Sequence, residues 1–171
     1  MRWAQTQHDI VCNQKYDKTL PYSFHLSCVF NELVNYIHNT QEDFSETDMD
    51  ILAMGAMGHD LIEDARVTYN DIANKWGFEV ADVIYACTEL RGKTRAERHG
   101  PEYIETLQEN FFGRIVKLCD ILTNTRYSKN SGSSMFKKYK KEYEHSTLPN
   151  LIQNDERLTY FKNEFEKLLN V

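Results

Sequence analysis

Residues 58–66 read GHDLIEDAR, and the rest of the chain takes its meaning from this stretch. One histidine and three carboxylates follow a run of small and apolar residues. On a helix, His59 and Glu63 lie one turn apart, as do Asp60 and Asp64, and the two pairs point in neighbouring directions. One description is a solvated acidic helix end. The other has His59 and Asp60 binding one ion while Glu63 or Asp64 reaches water beside it, and Mn²⁺ accepts such mixed imidazole and carboxylate ligands. Acids at a helix C-terminus oppose its dipole, which makes a purely stabilising role less comfortable.

Working toward the N-terminus, Ile51, Leu52, Met54 and Met57 predict a helix starting near Asp48. The polar connection NTQEDFSETD (39–48) offers Ser45 or Thr47 as its cap. Gly55, Ala56 and Gly58 thin the helix just before His59, which fits either close approach of another helix or an ordinary weak spot. Tyr22, Leu26, Val29, Leu33 and Ile37 repeat at helical spacing behind Pro21, a residue suited to a helix entrance. An earlier helix is expected over residues 2–13.

Toward the C-terminus, VTYNDIANKWG (67–77) reads as a short helix capped by Thr68 and Asp71 and stopped at Gly77. Val80, Val83, Ile84 and Cys87 form the next stripe. RGKTRAERHGP (91–101) breaks the pattern and gathers positive charge. Ile115, Leu118, Cys119 and Leu122 mark a strongly periodic helix. SKNSGSS (128–134) is a linker before the basic-aromatic MFKKYKKEY (135–143), expected to be a surface helix or oligomer contact, with a ligand lid as the lesser option. Leu158, Phe161, Phe165 and Leu168 predict a last amphipathic helix, less tightly attached than the others. No β-alternation is long enough for a sheet. The expected fold class is all-α, one helical domain over residues 1–171.

The totals narrow the class. A hydrophobic content of 41% argues against disorder, and no run approaches the roughly 18 apolar residues of a membrane span. The N-terminal MRWAQTQHDI lacks the continuous apolar segment of a signal peptide, so a soluble cytoplasmic protein is expected. With 26 acidic and 20 basic residues, the net charge of -6 disfavours nonspecific binding to nucleic acid or an anionic membrane. The four cysteines show no CxxC spacing, and three sit in apolar-periodic surroundings, so reduced buried thiols are expected.

Two distant segments carry further chemistry. In KLCD (117–120), Asp120 lies beside the apolar stripe on the Val116–Asp120–Asn124 face, so one of Asp120 and Asn124 can enter a metal shell while the other meets a ligand. His25 follows PYSF near a helix start. Each has a plain alternative as a surface, capping or core residue, and periodicity alone does not bring His25, His59 and Asp120 together.

PYSFHL (21–26), GHDLIEDA (58–65) with VTYNDIANKWGFEVADVI (67–84), and RAER (95–98) with IVKLCDILTNTR (115–126) stand in the order and spacing of known hydrolases. The chain resembles the HD-domain hydrolases of the RelA/SpoT type, and the single-domain MESH-type members are closest in size. The resemblance covers about residues 1–128 and leaves a helical C-terminal extension. It implies an HD-domain helical bundle with metal ligands at His25, His59, Asp60 and Asp120 and catalytic acids at Glu63 and Asp64. It further implies nucleotide contacts from Asn124 and Arg126, and Mn²⁺-dependent removal of the 3′-pyrophosphate of (p)ppGpp.

Phosphates need positive partners, and Lys93, Arg95, Arg98 and His99 cluster in the loop before GPEYIETL. The family's Gly-Gln-x-Arg-Lys segment is here NQKYDKTLPY (13–22), with Gln14 kept and Tyr16 and Asp17 in place of the basic pair. Tyr16 is a candidate for stacking on a base, and Lys15 or Lys18 for restoring charge. Thr123 replaces a histidine-equivalent in CDILTNTR. These departures leave open another phosphorylated nucleotide, as for a 5′-nucleotidase or NADPH phosphatase. A separate class is a metal-binding regulatory or interaction module without turnover, against which the intact Glu63–Asp64 pair argues, and a homo-oligomer is left open independently.

Overall fold

Residues 2–145, 147–153 and 155–170 are described by the computed structural model. The chain opens with α1 (Arg2–Gln5), which runs into a π-helical turn at Thr6–Val11. A single helix over this stretch is therefore a simplification. Lys15–Tyr16 (β1) and Leu20–Pro21 (β2) then pair antiparallel, Lys15 opposite Pro21 and Tyr16 opposite Leu20. Two residues per strand is too short to leave an alternation in the sequence, so this hairpin was not foreseen. Asp17 and Lys18 make its turn with positive φ of 48° and 67°.

The remaining elements are helical: α2 (Tyr22–Asn39), α3 (Glu46–Gly58), α4 (Leu61–Asp64), α5 (Tyr69–Trp76) and α6 (Phe78–Cys87). They continue with α7 (Arg95–Arg98), α8 (Pro101–Glu109), α9 (Phe111–Asn130), α10 (Met135–His145), α11 (Thr147–Ile152) and α12 (Thr159–Leu169), a 3₁₀ turn at Glu156–Leu158 preceding the last. Ser45 caps α3 in a capping box with Asp48, starting the helix two residues before the expected Asp48. Thr68 and Asp71 form the anticipated box on α5. Thr94 and Glu97 form one on α7, so the basic segment read as a break contains a helical turn with its own S/T-x-x-E signature.

Helix α9 runs through the core and touches α2, α3, α6, α8, α10, α11 and α12. Its neighbours approach closely because α3 is thinned where they meet. A β-carbon on Gly55 would stand 2.7 Å from Val83 Cγ1 and 3.3 Å from Val116 Cγ2, and one on Gly58 would stand 2.7 Å from the Trp76 ring. The glycines thus serve helix contact, and that contact sets the end of α3 beside the middle of α9.

The C-terminal helices are part of this core, contrary to the looser attachment expected. Phe161 and Phe165 are fully buried, and Phe161 stacks on Tyr36 of α2 with ring centroids 4.8 Å apart. Their spacing on α12 aims both rings at one face, which the stripe predicted without naming its partner. All four cysteines are free; Cys87 and Cys119 are buried, whereas Cys12 and Cys28 are only half-buried. No helix among the described residues is long and apolar enough to cross a membrane.

Candidate metal centre

Four segments deliver the site. Tyr22 and His25 lie in the first turn of α2, His59 caps the C-terminus of α3, and Asp60 follows in the turn into α4. Asp120 sits in mid-α9. Ligand atoms of His25, His59 and Asp120 all lie within 4.8 Å of one another, and all three residues are buried. His25 Nε2 is 3.2 Å from Asp120 Oδ1, and His59 Nε2 is 3.7 Å from the same atom. Asp60 Oδ2 joins from the side, 2.9 Å from His59 Nε2 and 3.8 Å from His25 Nε2, while accepting the Tyr22 hydroxyl.

His59 shows what this arrangement requires. Its Nδ1 lies 2.9 Å from the carbonyl oxygen of Ala56. A carbonyl only accepts, so Nδ1 carries a proton, and in the neutral ring Nε2 is a bare lone pair. That Nε2 is buried without an aligned hydrogen bond, against carboxylate oxygens of Asp60 and Asp120. Three acceptors facing one another repel unless a cation lies among them. A proton is one answer. Burial alone would lower the His59 pKa, but Asp60 and Asp120 hold it well above the usual value. A metal ion is the other, and a backbone carbonyl on the far ring nitrogen is the usual support of a metal-binding histidine. Burial would raise the Asp60 and Asp120 carboxyls, yet His59 draws Asp60 down, and Lys117 with both histidines draws Asp120 down. Both therefore stand ionised.

The two further acids stand on α4. Glu63 accepts the backbone N–H of Glu89 at Oε1, 2.7 Å away. Burial, assisted by Asp60 and Glu89 and opposed by Lys117, pushes its pKa up to about 7. Asp64 Oδ2 accepts from Gln14 Nε2 at 2.8 Å and faces the Tyr22 hydroxyl at 3.4 Å. Glu63, Asp64, Tyr22 and Glu89 line a cavity of about 170 Å³ with His25, Asp60, Asp120, Asn124, Arg95, Lys117 and Tyr139.

A second cavity of about 330 Å³ shares the Tyr16 and His25 walls. Tyr16 stacks on His25, ring centroids 4.9 Å apart and planes 12° apart, and donates its hydroxyl to Asn124 Oδ1 at 2.9 Å. Asn124 Nδ2 in turn donates to Asp120 Oδ1 at 2.6 Å. Phe24 and Tyr127 complete an aromatic side to this second cavity, with Asn31, Glu32, Asn35, Thr123, Arg126 and Asn130 around them.

The expected cations do not gather as a group. Arg126 lines the second cavity, its guanidinium held by Glu32 and Glu164. Arg95 reaches the first cavity but is forked to Glu142 of α10, at 2.5 and 3.2 Å. Arg98 and His99 turn onto Glu89, at 2.7 and 2.6 Å. Lys93 and Lys18 are exposed and line neither cavity. Asp17, poorly suited beside phosphates, instead accepts the Tyr127 hydroxyl at 2.7 Å.

Glu89 and several other participants are not singled out by the sequence. Tyr22 binds Asp60, and His8 stacks on Tyr22 with ring centroids 4.7 Å apart. Tyr139 brings α10 to the cavity wall, so that helix is more than a surface element. Lys117 is buried on α9 with Nζ 3.4 Å from Asp120 Oδ2. Its signal was available, since position i−3 from a candidate ligand shares that ligand's helix face.

No protein-family model and no curated protein matches the sequence. Among solved structures, that of a metazoan ortholog of SpoT, which hydrolyzes ppGpp and plays a role in starvation responses, matches with a TM-score of 0.73 at 20% identity. The match covers 97% of this chain and 90% of that one. The chain thus shares the all-α fold of that structure, as its helical periodicity predicts, with a His/His/Asp cluster that could hold a divalent ion.

Proposed function

We propose that this protein is a Mn²⁺-dependent nucleotide phosphohydrolase and that the group it removes is the 3′-pyrophosphate of (p)ppGpp. The observation that carries the reading is the unpaired Nε2 of His59, a lone pair set against two carboxylates beside a cavity lined by further acids. His25, His59, Asp60 and Asp120 supply two imidazoles and two carboxylates, a donor set that suits Mn²⁺. When bound, the ion supplies Lewis acidity toward a phosphoryl oxygen and makes water a stronger acid.

The chain's own residues do the rest. Glu63, with its pKa near 7, takes a proton at Oε2 from the water that bonds to phosphorus as the ribose 3′-O–P bond breaks, and returns it to the departing 3′-oxygen; Oε1 is engaged by the Glu89 N–H. Asp64, steadied by Gln14, orients that water. Tyr16, which borders both cavities, and Asn124, which accepts its hydroxyl at the wall of the smaller one, align the sugar and base with the reacting phosphate. The aromatic side of the larger cavity offers faces on which a base stacks. Arg95 contributes charge once shared between Glu142 and phosphate. Arg126 reaches a ligand only by giving up part of its hold on Glu32 and Glu164. Lys93 and Lys18 serve at most as solvent-side attraction.

Support for the guanosine substrate comes from the fold shared with a protein that hydrolyzes ppGpp. One observation favours a second reading, with NADPH or a 5′-nucleotide as substrate: Tyr16 and Asp17 put a stacked ring and a carboxylate where a basic pair would hold guanine. Release of phosphate and pyrophosphate from a nucleotide panel with Mn²⁺ separates the readings. Pyrophosphate from (p)ppGpp, lost in Glu63→Gln with the metal retained, is the expected result. Phosphate from NADPH or a 5′-nucleotide would move the assignment to the second reading. No release from any substrate by metal-loaded protein would remove both and leave a binding module.

A further inference from the structure

Lys117 remains unexplained by that scheme. It occupies α9 one turn before Asp120, and its side chain is 6% exposed. A buried ammonium costs stability unless it is paired, and an aliphatic residue at this position would avoid the cost. Its ion pair is loose, with Nζ 3.4 Å from Asp120 Oδ2. An ammonium has three donors, so one such contact leaves others for the cavity that Lys117 lines.

The charges around it decide the role. Asp60, Glu63, Asp64, Glu89 and Asp120 line the same cavity, and Arg95 and Lys117 are its lysine and arginine among the described residues. Arg95 is forked to Glu142, and nearby Arg98 is spent on Glu89. An anionic substrate approaching five carboxylates therefore meets Lys117 as the cation not already held by a fork. A purely structural lysine fits poorly. Asp120 Oδ1 faces both histidines and Asn124, so Lys117 on Oδ2 sits one carboxylate away from the proposed ion. Two cations that close repel, and a bridging anion relieves the repulsion.

Resting on the proposed function above, we propose that Lys117 is a substrate-contacting residue whose ammonium binds a phosphoryl oxygen of the substrate beside Asp120. It holds the oxyanion as the bond to phosphorus changes. The same cation weakens metal binding in the absence of an anion. Lysine thereby couples the two ligands, so that phosphate is bound well only together with the metal.

The test uses inorganic phosphate as probe and Lys117→Met and Lys117→Arg as variants. Mn²⁺ affinity is read by electron paramagnetic resonance, phosphate affinity of the Mn²⁺-loaded protein by calorimetry, and folding by circular dichroism. Lys117→Met is expected to hold Mn²⁺ at least as tightly as wild type and to bind phosphate about 10- to 100-fold more weakly, the worth of a charge-assisted hydrogen bond. Lys117→Arg, which keeps the charge, is expected to recover most of the phosphate affinity. Unchanged phosphate affinity in Lys117→Met would overturn the inference, as would parallel loss of Mn²⁺ and phosphate, which marks a lysine that merely orients Asp120. Should Lys117→Met not fold, Lys117→Arg decides alone: phosphate affinity kept supports the inference, and affinity lost with Mn²⁺ retained overturns it. A wild type that takes up no Mn²⁺ would remove the parent reading itself, an outcome distinct from all of these.

Discussion

The residues around His59 and the cations around Arg95 were both read from sequence as binding groups, and folding treats them differently. His25, His59, Asp60 and Asp120 are buried on or beside long helices whose packing leaves little choice of position. Among them His59 Nε2 makes no hydrogen bond, although it faces the Asp60 and Asp120 carboxylates. Arg95, Arg98 and His99 stand in and around a four-residue helix, and nearby acids have already answered their charge. The buried groups point to a cation site because the fold holds a histidine lone pair against two carboxylates. Half-exposed cations find acids of their own, so Arg95 would meet a phosphate only by sharing its hold on Glu142.

The largest effect is expected among the buried groups. Asp120→Ala should reduce Mn²⁺ affinity by more than the roughly 10- to 100-fold typical of losing an outer partner, measured by titration of metal-free protein. Affinity within a few-fold of wild type would mean that the cluster does not hold the ion. Next comes Glu63→Gln, expected to lower kcat about 100- to 10,000-fold, the range of a general acid–base group, with Mn²⁺ binding kept. Loss of the metal in that variant would make Glu63 a ligand instead.

Gly55→Ala tests how the two sides are assembled. The added methyl meets Val83 at 2.7 Å, and overpacking of this kind costs about 1–3 kcal/mol. Because Val83 is stiff at χ1, α3 has to shift, and Mn²⁺ affinity should fall along with the denaturation midpoint. A variant as stable as wild type would show that α3 and α6 have slack between them.

The smallest effect belongs to the cation side. Burial would raise the Glu89 carboxyl, but bonds from His99 and Arg98 hold it down to about 2, against an ordinary 4.5. The folded pKa lies below the unfolded one, so this stabilisation is full above pH 4.5 and fades as pH falls toward 2. Glu89→Gln should therefore be less stable than wild type by about 1 kcal/mol near neutral pH, a value set low because Arg98 is partly exposed. Denaturant melts at several pH values should show that difference shrinking through the acid range. A difference independent of pH would mean that Glu89 acts through packing alone.

Most of the fold was legible because long amphipathic helices leave a repeating stripe, as in Leu26, Val29 and Leu33 of α2 or Ile115, Leu118 and Leu122 of α9. Capping was legible where Thr68 and Asp71 stand three apart. The β1–β2 hairpin was not, since two residues per strand carry no period. The four proposed ligands were readable through the resemblance, because helix spacing explains His59 with Glu63 but not His25 with Asp120. The pairing of Arg126 with Glu32 and Glu164 joins three helices and leaves no local trace. Lys117 carried a usable local signal, its place one turn before Asp120.

His59 Nε2 and its facing carboxylates are proposed to hold a divalent ion. Anomalous diffraction from Mn²⁺-soaked crystals of the wild-type protein tests it most directly. One strong peak bonded to His59 Nε2, with His25, Asp60 and Asp120 as its other protein ligands, is the expected result. A saturating soak that leaves no peak there, with His59 hydrogen-bonded as an imidazolium to Asp60 or Asp120, would contradict it.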